Sequence, residues 1–392
     1  MNVGLLTAVE EWGGADIHSA RFARALEARG HRATMVCLTQ RSFELYRDHW
    51  GDRLDLLLRP TPRDFRTMGF LDWLRFFSGQ PWNPCVLIKG YFGVGDWKLD
   101  LAARLIFRNY LAIEHLMAEV VPRVTRRHFG IVPGLGLWWR RELLRGMLRS
   151  VGPKKIICVS EAVRLRLLNE YRFPGRKLVT VSNGIDPLRF RPDPDSAAAC
   201  RQRWGIPDGA LVFGAVGRFA PMKGYRTALS GFETLLERFP GLDLRLVLIG
   251  QGEEESALRA RADAIVPRGR VVFAPFTDRP WEDLSALDVF VMPSLTEGLP
   301  LTLLEAMACG CCPVAMAAGG IPEVLTTPAL GWLVPVGDEA AFAAAMNEAA
   351  SRTPAERAAM GMRARRRVET SFDSALQFNR LVNEVESATL PS

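Results

Sequence analysis

Residues 211–238 read LVFGAVGRFAPMKGYRTALSGFETLLER. An apolar run ends at Val216, a loop carrying Gly217, Pro221 and Gly224 follows, and apolar residues then recur at helical spacing from about Lys223 to Arg238. Strand, glycine-containing turn and helix make half of a βαβ unit, and the pattern repeats downstream. Further strands are predicted at Leu244–Ile249, 270–273, Val289–Met292 and 312–315, with helices at about 254–265 and 301–309. Continuous Val, Ile and Leu runs without polar alternation suit a parallel sheet covered by helices on both faces. Upstream the same alternation appears, with strands at Val3–Ala8, Ala33–Leu38, 84–89, 110–114, 155–159 and 178–182, and a first helix reaching about Arg29. The aromatic segment from Phe65 to Asn83 has no clear period, and 339–387 reads as successive helices.

The two series are separated by Asn183-Gly184-Ile185-Asp186 and the Pro-rich RFRPDPD after it, which places the joint there. The expected organisation is therefore α/β, with two Rossmann-like doubly wound domains at 1–182 and 183–370 and a last segment, 371–392, returning to the first domain. At 392 residues the chain is long enough for two cores. Two such domains are expected to face a central cleft where the carboxyl ends of both sheets converge on a ligand.

Composition excludes other classes. With 48% apolar and 24% charged residues the chain is far from the disordered regime. The start, MNVGLLTAVEEW, has no basic leader, and no stretch of about 18 uncharged apolar residues occurs, so neither secretion nor a membrane span is expected. Seven irregularly spaced Cys predict reduced thiols in the cytoplasm. Cys309-Gly310-Cys311-Cys312 lacks a second ligand pair at zinc spacing and reads as small apolar side chains, with no metal expected. Charge is uneven. Residues 1–200 hold 31 Lys and Arg against 20 Asp and Glu, and 101–150 interleave basic residues with Trp138 and Trp139. That suits an anionic partner or membrane surface, or else a solvated Arg-rich helix.

Three places carry chemistry. Arg218 and Lys223 stand at a strand's carboxyl end beside a helix start, an arrangement for phosphate oxygens. In Glu297-Gly-Leu-Pro-Leu-Thr-Leu-Leu-Glu305, Pro300 suits a first helical turn, leaving the amides of Leu301, Thr302 and Leu303 to point at a second anion. Beside phosphates, Glu297 and Glu305 are better placed to accept hydrogen bonds from sugar hydroxyls, which fits a nucleotide joined to a sugar. Third, Gly13-Gly14 follows the first strand and permits close backbone approach. None of these glycine clusters has the G-x-G-x-x-G spacing, which counts against NAD or FAD.

Together these residues resemble the retaining glycosyltransferases of family four, which have the GT-B fold. The resemblance rests on Glu297 and Glu305 with seven residues between them, AMACG after them, GGIPEV at Gly319–Val324, GRFAPMKG, VSEAVR at Val159–Arg164, and NGID with Phe190 and Pro192. It implies that Arg218 and Lys223 bind the diphosphate of a UDP- or GDP-sugar, that Glu305 holds the ribose, and that Glu297 faces the transferred sugar. The amides of Leu301–Leu303 would hold its phosphate and Gly14 would wall the other side. Gly13, Gly217, Gly252 and Phe276, in the base-binding strand end 273–277, complete the donor contacts. The family's active-site His matches His115 in Ile113-Glu114-His115, with a structural histidine as the alternative and His18 and His128 as lesser rivals.

The resemblance also implies a metal-independent transferase without cofactor, in which the leaving phosphate accepts the incoming hydroxyl's proton. Asp193-Pro194-Asp195 matches the metal motif of a different fold and is read as coincidental. The expected acceptor is a saccharide or lipid-linked saccharide of polysaccharide or lipopolysaccharide synthesis, docked on loops at about 60–100 and 129–145, with the protein cytoplasmic or peripheral on the inner membrane face. Alternatives are a soluble small-molecule acceptor, a GT-B nucleotide-sugar epimerase or phosphorylase, a dinucleotide oxidoreductase and a non-catalytic scaffold. No nucleic acid is expected as a partner.

Overall fold

The computed structural model describes residues 1–8, 14–61, 64, 68–89, 97–115, 152–171 and 173–389. They form two units. One runs from Met1 to Ser182 and takes in the C-terminal helix from Gln377 on; the other is Asn183–Leu376.

In the N-terminal unit, β1 (Asn2–Thr7), β2 (Arg32–Cys37), β3 (Asp55–Leu58), β4 (Cys85–Lys89), β5 (Tyr110–Glu114), β6 (Lys155–Cys158) and β7 (Leu178–Thr180) form one sheet in the order β3-β2-β1-β4-β5-β6-β7. All pairings are parallel. The order reverses between β1 and β4, the switch point at which doubly wound sheets bind ligands. β1 is buried from Val3 to Thr7 and lies so close to Trp82 that a Cβ at Gly4 would stand 2.4 Å from its ring. The Phe65–Asn83 stretch, which has no clear period in the sequence, contains a helix, Phe70–Phe77, whose Trp73 and Phe77 stack at 5.5 Å inside the core. The helix Ser374–Thr389 buries Phe378, Leu381, Val382 and Val385. It is fastened to this unit by Glu386, which accepts hydrogen bonds from Arg29 at 2.8 Å, and by Glu384, paired with Lys155 at 2.6 Å.

The C-terminal unit holds β8 (Leu211–Val216), β9 (Leu244–Ile249), β10 (Val271–Ala274), β11 (Val289–Met292), β12 (Cys312–Met316) and β13 (Trp332–Val334), again all parallel, in the order β10-β9-β8-β11-β12-β13. Its core is built from Phe213, Phe232, Leu246, Val291 and Phe342, so the unbroken apolar runs of the strands are explained by helices on both faces. Arg365 ties distant segments together, donating to the carbonyls of Pro187 at 3.0 Å and Phe190 at 2.9 Å. Asp193 has a local role: its carboxylate accepts from the Ser196 amide at 3.1 Å and caps the helix Pro194–Arg203.

β3 and β13 are not among the strands expected from the sequence, and the reason is burial. Both lie at sheet edges, and along Asp55–Leu58 and Trp332–Val334 no residue is fully buried. The seven thiols are free and buried, and burial pushes Cys309 and Cys312 up to about 12. They stay protonated and pack as small apolar groups.

Candidate donor and acceptor-side residues

Close approaches of backbone to backbone shape the first part of the site. At the end of β8 the chain turns at Gly217, and Phe219 N donates to Gln251 O at 2.9 Å, drawing the loops after β8 and β9 together. Only glycine allows this contact: a Cβ at Gly250 would lie 2.0 Å from Gly217 O, and one at Gly252 2.6 Å from Phe219 O, both at positive φ. Arg218 leaves this double loop toward Glu253, Nη2 to Oε2 at 3.1 Å, with both side chains about half exposed. A 3₁₀ turn at Pro221–Lys223 then passes through left-handed Gly224 (φ 69°) into the helix Tyr225–Arg238. A Cβ on Gly224 would meet Pro293 O at 2.1 Å, so this helix start is pressed against the loop that follows β11.

That loop supplies the second part. Lys223 Nζ donates to Glu297 Oε1 at 2.8 Å; the Lys223 side chain is 31% exposed and that of Glu297 8%. Buried Tyr225 adjoins them, and burial together with the Glu297 charge holds its phenol well above the usual range, hence neutral. Gly319, in the left-handed region at φ 53°, lies beneath Glu297, whose carbonyl oxygen would be 1.8 Å from a Cβ there. Gly320 N donates to Gly298 O at 2.8 Å, and Asn183 Nδ2 to Leu299 O at 2.8 Å, so the loop is held from both sides. Pro300 is the N-cap residue, and the helix Leu301–Ala308 begins after it rather than including it in its first turn. The amides of Leu301, Thr302 and Leu303 lie in that first turn, without intrahelical acceptors, and buried Glu305 lies in the second.

The structure thus brings together Lys223 and Glu297, 74 residues apart, and the β8 and β9 loops that carry Gly217, Arg218 and Gly252. Each cation already has a protein carboxylate. A phosphate can take that partner's place, because both cations keep access to solvent. Phe276 stands two residues past β10 and is 47% exposed, next to Thr277, whose hydroxyl donates to Asp283 at 2.6 Å. Two participants are not apparent from the sequence: Glu253, and the hold that Asn183 has on the loop. An acid next to Gly252 is the only local signal for the first; for the second, NGID marks Asn183 but not the distant carbonyl it holds.

In the N-terminal unit, Gly14 opens the helix Gly14–Ala28 and is exposed. His115 follows β5 directly and is buried, and burial lowers its imidazole to about 4, so it is neutral near pH 7. His18, a lesser rival by sequence, packs against it with ring centroids 4.8 Å apart. Gly13, His128, Trp138, Trp139 and the loop at 129–145 lie outside the described residues. Among the described residues, no group of three or more His, Cys, Asp or Glu could hold a metal ion, and no helix is long and apolar enough to cross a membrane.

Two doubly wound parallel sheets with these loops at the strands' carboxyl ends define the GT-B class of fold. The chain is similar to a solved glycosyltransferase from Rickettsia africae (TM-score 0.78, 14% identity, 100% of this chain and 99% of that one). It is equally similar to Anabaena HepE, solved with UDP and glucose (TM-score 0.78, 18% identity, 99% and 100%). The chain belongs to the family four, group 1 glycosyltransferases: the family described as Glycosyl transferases group 1 matches residues 197–367, and Glycosyltransferase Family 4 matches 12–189. A GDP-mannose-dependent alpha-(1-6)-phosphatidylinositol monomannoside mannosyltransferase of Mycolicibacterium smegmatis is 32% identical over 58% of this chain and 61% of its own length. A D-inositol 3-phosphate glycosyltransferase of Saccharomonospora viridis is 35% identical over 55% and 53%. The chain thus spans little more than half the length of the curated relatives it matches.

Proposed function

We propose that the protein is a retaining hexosyltransferase that moves a sugar from a UDP- or GDP-sugar to a hydroxyl of a saccharide or lipid-linked saccharide. The place of that reaction would be the synthesis of cell-surface polysaccharide or lipopolysaccharide. The observation that carries this reading is the Lys223–Glu297 pair, set against the start of the helix Leu301–Ala308 with Arg218 on the adjoining loop. In glycosyl transfer, positive charge grows at the anomeric carbon while the diphosphate leaves with negative charge. Arg218, Lys223 and the amides of Leu301–Leu303 bind the leaving diphosphate, Glu297 faces the sugar, and Glu305 accepts from the ribose. Gly14, Gly217, Gly252 and Phe276 line the donor. The leaving phosphate takes the acceptor hydroxyl's proton, and neutral His115 positions the sugar or acceptor without acting as an obligate base. No metal or other cofactor enters this mechanism.

The two glutamates separate by assay. Glu305→Ala is expected to raise the dissociation constant for the nucleoside diphosphate about tenfold or more, the loss of a hydrogen bond to a charged group. Glu297→Ala is expected to lower kcat with little change in that constant. Titration calorimetry with the nucleotide and initial rates with the sugar donor check both; reversed effects exchange the two roles. The reaction itself is tested by incubating the protein with UDP- and GDP-hexoses and following nucleoside diphosphate release. Proton NMR of the product must then show the donor's anomeric configuration retained.

The lipid-linked acceptor is supported by the basic balance of residues 1–200 and by the relative that acts on a phosphatidylinositol mannoside. With it goes peripheral attachment to the inner membrane face. Sedimentation with anionic vesicles is expected to pellet the protein at low salt and to release it at high salt; no pelleting at low salt contradicts attachment. The relatives that act on D-inositol 3-phosphate favour a second reading, a small soluble acceptor.

A further inference from the structure

We infer that His18 is a positioning residue for His115, holding that ring edge-on and shielded from water inside the N-terminal unit. The inference rests on the reading of His115 given above and adds a residue to it. His115 leaves the carboxyl end of β5, and His18 sits in the second turn of the helix Gly14–Ala28. Their ring centroids are 4.8 Å apart with planes at 73°, an edge-to-face contact. On the other side of His18, Phe378 of the C-terminal helix stands 5.1 Å away, so His18 is clamped between two rings.

The pair is not an ordinary piece of core. His18 is 4% and His115 6% exposed, and His18 Nδ1 and His115 Nε2 have no hydrogen-bond partner among the described residues. Two buried nitrogens without a partner among the described residues are costlier there than apolar rings of similar shape, which fits a role other than packing. Burial is the main cause that lowers both imidazoles; His18 also feels His115 and Arg21, whereas for His115 burial acts alone. Among the described residues, Arg21 is the charged side chain that bears on His18, and Phe378, which faces His18 from the C-terminal helix, is uncharged. Each neutral imidazole keeps one donor and one acceptor nitrogen, which is what a group that orients hydroxyls requires. Since His18 acts through its ring, removal of the ring is predicted to admit water beside His115 and free it to turn, whereas another aromatic ring should preserve the contact.

The test uses His18→Ala and His18→Phe in the full chain, with nitrogen NMR of the imidazoles and steady-state rates as separate readouts. In the wild type His115 is expected to stay neutral down to about pH 5, because its pKa lies at about 4. In His18→Ala that pKa should climb toward 6.5, the ordinary value, and kcat should fall about ten- to a hundredfold with the donor KM unchanged. Protonation then inactivates, so the rate should decline as pH falls below about 6.5, a limb absent from the wild-type profile. His18→Phe should keep the low pKa and recover most of kcat. If His18→Ala does not fold, His18→Ser, which likewise leaves the space of the ring open to water, replaces it. An unchanged His115 titration in the ring-less variant, or equal damage in His18→Phe, overturns the inference. If the wild type transfers no sugar, the activity reading fails, while the NMR titration still decides the pair.

Discussion

Lys223→Ala is expected to lower turnover about a hundred- to a thousandfold while leaving the protein folded, the usual cost of deleting a preorganised group that stabilises transition-state charge. Gly224 and Gly319 press two loops together so that Nζ of Lys223 meets Glu297 at 2.8 Å, and the Lys223 side chain remains 31% exposed, within reach of a ligand. Loss of the amine leaves a nearly buried carboxylate without its cation, worth about 1–3 kcal/mol, a figure that water at the partly exposed position reduces. A drop in Tm of a few degrees is therefore expected, far short of unfolding. Adding Glu297→Gln to Lys223→Ala should recover the Tm but not the turnover. Wild-type turnover in Lys223→Ala would remove Lys223 from the site.

Gly319→Ala is the second large effect. At φ 53° an alanine is strained by about 1–2 kcal/mol. Its Cβ would also stand 1.8 Å from Glu297 O, 2.7 Å from Glu297 C and 3.2 Å from Gly298 O, all backbone atoms that cannot swing aside. Relief requires the Glu297–Gly298 segment to move and the Gly320–Gly298 hydrogen bond to stretch, which carries Glu297 away from Lys223. Destabilisation of about 2–4 kcal/mol is expected, with turnover lost even at temperatures where the protein is folded. Gly337→Ala provides the comparison: its φ is 79°, but nothing lies within 4 Å of the added Cβ. That variant should cost only the conformational term and keep its activity. Thermal melts and initial rates of the two variants decide the matter, and equal behaviour would show that the Gly319 contact does not matter to the site.

How far the sequence reveals this protein depends on which forces leave a local trace. Strands buried on both faces, such as Leu211–Val216 and Val289–Met292, are legible because burial demands uninterrupted apolar runs. β3 and β13 are short, half-buried edges and leave no such trace. Phe70–Phe77 is helical, yet all its residues except Asp72 and Arg75 are apolar or aromatic, which blurs its period. Arg218, Lys223, Glu297 and Glu305 stand out by charge at the ends of apolar strands and helix starts, but their pairing does not, because Glu253 and Glu297 reach them through backbone approaches made far away in sequence. His18 falls within a helix and shows its significance only beside His115, which follows a strand far along the chain.

The central proposal is that the C-terminal unit binds a nucleoside diphosphate through Arg218, Lys223 and the helix start at Leu301. A thermal-shift screen of the purified protein against UDP, GDP, ADP and NAD, with and without divalent metal, tests that most directly. A ligand at a hundred times its dissociation constant adds about 2.7 kcal/mol, a shift of several degrees. The predicted result is a rise in Tm with UDP or GDP that needs no metal and disappears in Lys223→Ala. A rise with NAD alone, or the same nucleoside diphosphate shift in Lys223→Ala as in the wild type, would contradict it.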